Sequence, residues 1–237
     1  MKRLIYLSLA ALMVMAVSCN KNNKPDPAPK VPEEAVDLGI EMTRGDGTTY
    51  KLYWAKSNLS KDGLCTNPED YGDCYCWGET SLKEEYSWPT YQFGISSIGP
   101  FSKYNTSSLY GPVDNKTVLD PEDDVAYVKL NGQWRMPTDE EWNALMNECD
   151  WTWTTQNGVN GRLVKSKTNG NSIFLPAAGY RIDTDLDDVG SHGFYWSSSL
   201  DTDYPYGAWC VYFESNGVRR ERFHRRYGHP VRPVCEE

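Results

Sequence analysis

The sequence is poor in histidine, in long apolar runs and in positive charge. Its three His (His192, His224, His229) all fall in the last fifth of the 237 residues, which leaves little to build a zinc site or an imidazole relay from. After residue 18 no apolar stretch approaches the roughly 20 residues that a membrane-spanning helix needs. A formal charge of −9 lacks the basic footprint of a nucleic-acid binder, so no nucleic-acid partner is expected. No serine nucleophile turn is present, and no spacing sets a His to serve a Cys or Ser. Catalysis is therefore not expected. Aromatic residues are plentiful, with nine Trp and sixteen Tyr. The part after residue 35, about 200 residues, suits one domain with a sizeable core.

Met1 to Ser18 reads as an export signal. Lys2 and Arg3 form its charged start, and Leu4 to Val17 form an apolar run too short to span a bilayer. Ala16-Val17-Ser18-Cys19 resembles the bacterial lipobox, which implies cleavage before Cys19 and lipidation of that residue. The alternative is an ordinary signal with Cys19 incidental. Residues 19–35 are polar and proline-rich, and read as an extended tether. The expectation is a domain over 36–237, anchored by lipid in the outer membrane at the surface of a Gram-negative bacterium.

One stretch reads firmly as helix, 138–149. Thr138 and Glu141 form a Thr-x-x-Glu capping box, Asp139, Glu140 and Glu141 fill the first turn, and Trp142, Leu145, Met146 and Cys149 make one apolar stripe. Asn67 to Tyr71 could start a second, short helix. Strands are expected at 36–42 and 49–55, with a further strand leading into a loop at 74–79. Residues 80–130 show no sustained period and read as long loops. Strands at 162–167 and 172–175 flank Asn169-Gly170, which suits a type I′ turn. Further strands fall at 194–198, 209–214, 218 onward and 231–235. Over 209–214, alternation puts Trp209, Val211 and Phe213 on a core face and Cys210, Tyr212 and Glu214 on the other. Seven or so short strands and one or two helices give an α+β domain, mainly antiparallel.

Five ordered motifs, Trp134-Arg-Met-Pro-Thr-Asp-Glu-Glu-Trp142, Leu175-Pro-Ala-Ala-Gly-Tyr-Arg181, Tyr195-Trp-Ser-Ser-Ser199, Ala208-Trp209 and Val231-Arg-Pro-Val234, run through this region. The set resembles the Fibrobacter-type major paralogous domain of bacterial surface lipoproteins. That family is related to the formylglycine-generating, sulfatase-modifying enzymes. The resemblance implies a C-type-lectin-like fold: paired termini, a twisted sheet with one or two helices, and a loop-rich binding face. It makes Trp134, Trp142, Trp196 and Trp209 structural. The C-terminal 45 residues also resemble the variable proteins of diversity-generating retroelements. The matching exposed positions would be Tyr204, Tyr206, Cys210, Tyr212, Arg219, Glu221, Arg222, Phe223 and His224, together a surface for a glycan or protein ligand.

Arg219 to Tyr227 holds five Arg and a His in nine residues. Such a run suits an anionic ligand, or it pairs with the protein's own acids. Asp120 to Asp124 and Asp183 to Asp188 could offer oxygens to calcium but lack EF-hand spacing, so no metal or other cofactor is expected. Six cysteines beyond Cys19 allow 15 full pairings. The resemblance to C-type lectins suggests Cys149 with Cys235, and free thiols are the alternative. The cysteine pair of the formylglycine-generating enzymes is absent, which leaves a degenerate enzyme of that group as one rival reading. A structural adhesin or fimbrial-tip subunit is the other.

Overall fold

The computed structural model describes residues 31–94 and 100–237; the expected export signal, Cys19 and most of the expected tether lie outside them. The chain begins with an antiparallel hairpin, β1 (Ala35–Thr43) and β2 (Thr49–Ala55). Short strands β3 (Leu59–Ser60), β4 (Gly63–Leu64) and β5 (Tyr75–Cys76) follow. A long loop region leads to helices α1 (Val125–Lys129) and α2 (Asp139–Glu148). Next comes the meander β6 (Cys149–Gln156), β7 (Val159–Ser166) and β8 (Ser172–Pro176), then the small hairpin β9 (Tyr180–Ile182) and β10 (Asp185–Asp187). A second meander, β11 (Gly193–Leu200), β12 (Gly207–Glu214) and β13 (Gly217–His224), precedes β14 (Gly228–His229) and β15 (Val234–Glu236). Every named strand pairing is antiparallel, and β15 closes on β2, so the domain's first and last strands share one sheet. The class is α+β, mainly antiparallel. Among the described residues no helix is long and apolar enough to cross a membrane.

Helix α2 forms as its sequence dictates. Thr138 accepts from the Glu141 backbone at 3.2 Å, and the Glu141 carboxylate accepts from the Thr138 N–H at 2.8 Å. The helix stops one residue early, because Cys149 turns to extended backbone and opens β6. Glu141 is buried, and Arg135 grips it with two bonds of 2.7 and 2.5 Å while Tyr50 donates a third of 2.8 Å. Burial alone would raise the Glu141 carboxyl; Arg135 holds it below its ordinary value. Much of the Trp-Arg-Met-Pro-Thr-Asp-Glu-Glu-Trp motif is thus a cap and its counter-ion.

The other motifs are seams as well. Trp196 donates to the Tyr75 carbonyl at 2.9 Å, Ser197 to the Trp209 carbonyl at 2.8 Å, and Ser198 to the Pro137 carbonyl at 3.3 Å. Ser199 accepts from the Asp139 N–H at 3.1 Å, so β11 clamps the start of α2 to the sheet. Arg232, fully buried, donates to Asn58 and to the carbonyls of Ala55, Lys56 and Phe174. With no carboxylate beside it, burial pushes its value down to about 10.

Two large cores lie on opposite faces of β11 and β12. One takes Trp142 and Leu145 from α2, Trp54 from β2, Tyr195 from β11, and Val211 and Phe213 from β12. The other takes Trp196, Ala208 and Cys210 from the same two strands and packs them against loop residues Trp77, Tyr91, Phe101 and Tyr104. Gly193 is needed at its position because a Cβ there would lie 2.1 Å from the Phe213 ring.

Three local expectations are corrected. Asn67 to Tyr71 is a turn, with the Asn67 N–H on the Asp70 carboxylate at 2.9 Å, and not a helix. The loop at Asn169-Gly170 is not type I′, since only Gly170 has positive φ there and Ser166 caps it by accepting from Thr168 and Asn169. The two-residue turn with both φ positive is Asn157-Gly158, joining β6 to β7. All six described cysteines are free, so Cys149 and Cys235 are not bridged. Cys149 packs in the α2 core and Cys235 in a separate cluster with Tyr53 and Trp134.

Candidate functional site

The β12–β13 hairpin carries most of the residues singled out in the sequence, and its register sorts them. Tyr212 faces Arg219, Cys210 faces Glu221, and Ala208 faces Phe223 across the pair; Trp209 faces Arg222 and Val211 faces Arg220. Cross-strand partners share a sheet face. The nine expected contact positions therefore do not form one surface.

On the first face, Cys210 is 1% exposed beside Trp196, so it offers nothing to a ligand. Burial pushes its thiol well above the ordinary value. Tyr212 is 9% exposed, beneath the Arg219 guanidinium, which sits 4.1 Å from the ring centroid. The expectation that β12 has one open face fails because β12 is the central strand between two cores. Phe223 is half-buried among Phe194, Tyr180, Tyr227 and His229. Glu221 accepts from Arg219 and from the Arg222 N–H. His229 is fully buried, stacked 3.8 Å from Trp196, and neither ring nitrogen has a partner. Burial holds it well below its ordinary value.

Tyr204, Tyr206 and His224 gather at the hairpin's far end. Tyr204 is exposed and lies against Tyr206 and His224, while Trp88 packs against Tyr206 and His224 in turn. Trp134, Trp142 and Trp196 are core residues, as expected.

On the second face Trp209 departs from expectation. It is partly exposed, with the Arg220 guanidinium 4.5 Å from its ring centroid. It borders a cleft of about 290 Å3 with Val118, Asp139, Glu140, Ser199 and Thr202. Arg220 is tied to both oxygens of Asp139, and Arg222 reaches Asp201 at 3.2 Å. Burial raises the Asp139 carboxyl, with Arg220 opposing.

The arginine run is thus largely self-paired. Arg219 meets Glu221, Arg220 meets Asp139, Arg222 meets Asp201 and Arg226 meets Asp183. Arg225 is buried 3.9 Å from the Phe101 ring centroid and bonds the Lys103 and Tyr104 carbonyls. An anion arriving at this hairpin would have to displace carboxylates already in place. These pairs join residues up to 81 apart in sequence, which no local pattern could have revealed.

The acidic loop fares similarly as a cation site. Asp120, Glu122 and Asp123 converge, but the Lys103 ammonium lies 2.6, 3.3 and 2.5 Å from them. With Lys116, which also pairs with Asp120, it supplies the positive charge that a calcium ion would bring. In the other acidic stretch, Asp185 and Asp187 are exposed on β10, and Asp183 is bound to Arg226.

A family model described as a domain of unknown function, DUF8237, matches residues 150–234, from the second residue of β6 to the first of β15. No curated protein and no solved structure matches the chain.

Proposed function

We propose that the chain is a surface binding module with a C-type-lectin-like fold, anchored by lipid at Cys19 to the outer membrane, and that it holds a glycan in the cleft beside Trp209. The observation that carries this reading is Trp209 itself: the one partly exposed residue between Gly207 and Phe213 of β12, bordering a cleft with carboxylates and hydroxyls. Carbohydrate presents apolar C–H faces and many hydroxyls, which an aromatic ring and fixed carboxylates complement. A bound sugar would lie against the indole and bond to Asp139, Glu140, Ser199 and Thr202. The fold reading draws support from the closure of β15 on β2 and from the long loops between β2 and α2. A non-catalytic role is supported by the described thiols, whose values burial raises in every case, so that none is activated as a nucleophile.

Screening the protein on a glycan array, followed by calorimetry on the best hit, tests the cleft. Trp209→Ala should weaken binding at least about tenfold, a loss of roughly 1.4 kcal/mol, while the melting temperature holds. Unchanged affinity in that variant would move the site off the cleft, and a protein ligand alone would reject the glycan. Labelling with a palmitate analogue tests the anchor: the wild type should be marked and Cys19→Ala should not.

A further inference from the structure

We propose that the cleft under β9, on the side of the domain built by residues 73–86, is a separate binding site for a carboxylate group, with Arg181 as its receptor. The cleft measures about 460 Å3, within the size range of small-ligand pockets, and Asp73, Lys83, Glu84, Tyr86, Arg181 and Thr184 line it.

Arg181 is the exception among the arginines. Arg44, Arg135, Arg219, Arg220, Arg222 and Arg226 each have a carboxylate, and Arg162, Arg225 and Arg232 bond backbone carbonyls. Among the described residues Arg181 alone has neither; its contact is the Tyr86 ring, 5.9 Å from the guanidinium. Arg181 is half-buried, and its guanidinium offers five N–H donors in a fork that fits a planar carboxylate through two parallel bonds. Its placement is fixed from both sides: Arg181 sits opposite Leu186 of β10 and opposite Gly228 of β14. Gly228 leaves the room this takes, since a Cβ there would lie 2.4 Å from the Tyr86 ring and 3.1 Å from the Arg181 Cβ.

The other charges around the cleft narrow the ligand. The Lys83 ammonium is held by Glu79 at 2.7 Å, and Asp73 is turned toward the Lys61 N–H at 2.7 Å. Asp73 and the exposed Glu84 therefore remain as negative neighbours of any anion bound at Arg181. Attraction to Arg181 and repulsion from the two carboxylates both grow with the ligand's charge; with Lys83 neutralised by Glu79 the surrounding balance is negative, so a singly charged carboxylate is accepted where a doubly charged sulfate or phosphate is opposed. Thr184 offers a hydroxyl beside it, which suits a carboxylate carried on a polar, hydroxylated body such as a hexuronic acid.

The test uses the full chain, labelled with 15N, and follows the Arg181 Nε–H resonance, assigned by its loss in Arg181→Gln. Titrants are sodium acetate, sodium glucuronate, sodium sulfate and glucose at constant ionic strength. Both carboxylates should shift the resonance saturably, with glucuronate binding more tightly than acetate and sulfate more weakly than either. Arg181→Gln should weaken the glucuronate response of the Cys74 and Thr184 amides at least about tenfold, the size of one lost charge-assisted bond. Arg181→Lys, which keeps the charge and loses the fork, should fall between, and it serves as the readout if the Gln variant does not fold. Trp209→Ala should leave the glucuronate response intact. The proposal is overturned if neither carboxylate shifts the resonance, if sulfate binds best, if glucose does as well as glucuronate, or if Trp209→Ala abolishes the response.

Discussion

The two cores on either side of β11 and β12 are built from different materials. The core around Trp142 is made by a capped helix and long strands, whose backbone groups are paired by the regular elements themselves. The core around Trp77 and Phe101 is made largely by loops, and there side chains must do that pairing. Asp114 accepts from the N–H groups of Tyr104, Asn105 and Lys116. Asp124 caps α1 through Ala126 and Tyr127 and also takes the Met136 N–H. Tyr86, Tyr91 and Trp77 each donate to a backbone carbonyl. A loop layer can be as well buried as a helix–sheet layer, but its order depends on a few polar hubs instead of on repetition.

The largest effect should come from the regular core. Trp142 is fully buried, its indole 4.6 Å from that of Trp54 and its Nε1 donating to the Trp196 carbonyl at 3.1 Å. Trp142→Ala should cost about 3–5 kcal/mol in chemical denaturation, the range for emptying such a site. A cost near zero would mean that α2 does not anchor the core around Trp142.

In the loop layer a single carboxylate should matter nearly as much. Asp124→Ala leaves three N–H groups, two of them buried, without their acceptor and should cost about 2–3 kcal/mol. Hydrogen exchange should show the loss concentrated around α1 and residues 100–136, with the α2 core protected. Uniform loss of protection would erase the distinction between the cores.

Acidity offers a third probe, because two buried groups on this side bend stability in opposite directions. His229 titrates near 6.5 when unfolded but well below that when folded. The unfolded chain then binds the extra proton, and the stability present above about pH 6.5 is lost as pH falls. Asp124 is raised to about 6 from 3.8 by burial, against the pull of its three N–H donors. Its contribution is present below 3.8 and is lost as pH rises through about 6. Between pH 4 and 6 the two offset each other. His229→Phe keeps the stack on Trp196, removes two unpartnered nitrogens, and should leave a curve that declines with rising pH over that range, by about 1.4 kcal/mol per unit at most. Asp124→Asn should leave the opposite slope, and parallel curves for the two variants would refute both assignments.

The smallest effect on stability is expected at Trp209, at the rim of the cleft. Trp209→Ala should change the unfolding free energy by no more than about 0.5 kcal/mol, whatever it does to glycan binding. A larger loss would return Trp209 to the structural role that its motif suggested.

What could be read from the chain was local. The Thr138–Glu141 box placed α2 to within a residue, and alternation found the β12 strand. The strand β6 was missed, although its Trp151-Thr-Trp-Thr-Thr pattern alternates as a strand should and the Asn157-Gly158 turn follows it. What could not be read was which face of β12 meets water, because both faces of the strand are largely covered by cores and alternation then carries no sign. The arginine run was ambiguous for a similar reason: its counter-ions Asp139, Asp183 and Asp201 belong to other elements. The loop layer was opaque throughout, since its hubs pair with backbone and leave no period in the sequence.

The meeting of β15 with β2 also sets the order in which the molecule can be made. The strand that completes the first sheet, and the Arg232 that ties it to Ala55, Lys56 and Phe174, lie within six residues of position 237. A chain emerging from its N-terminus holds β2 with one edge unpaired until nearly all the rest has appeared. Native closure of this sheet therefore waits until Val234 and Cys235 reach Trp54 and Tyr53.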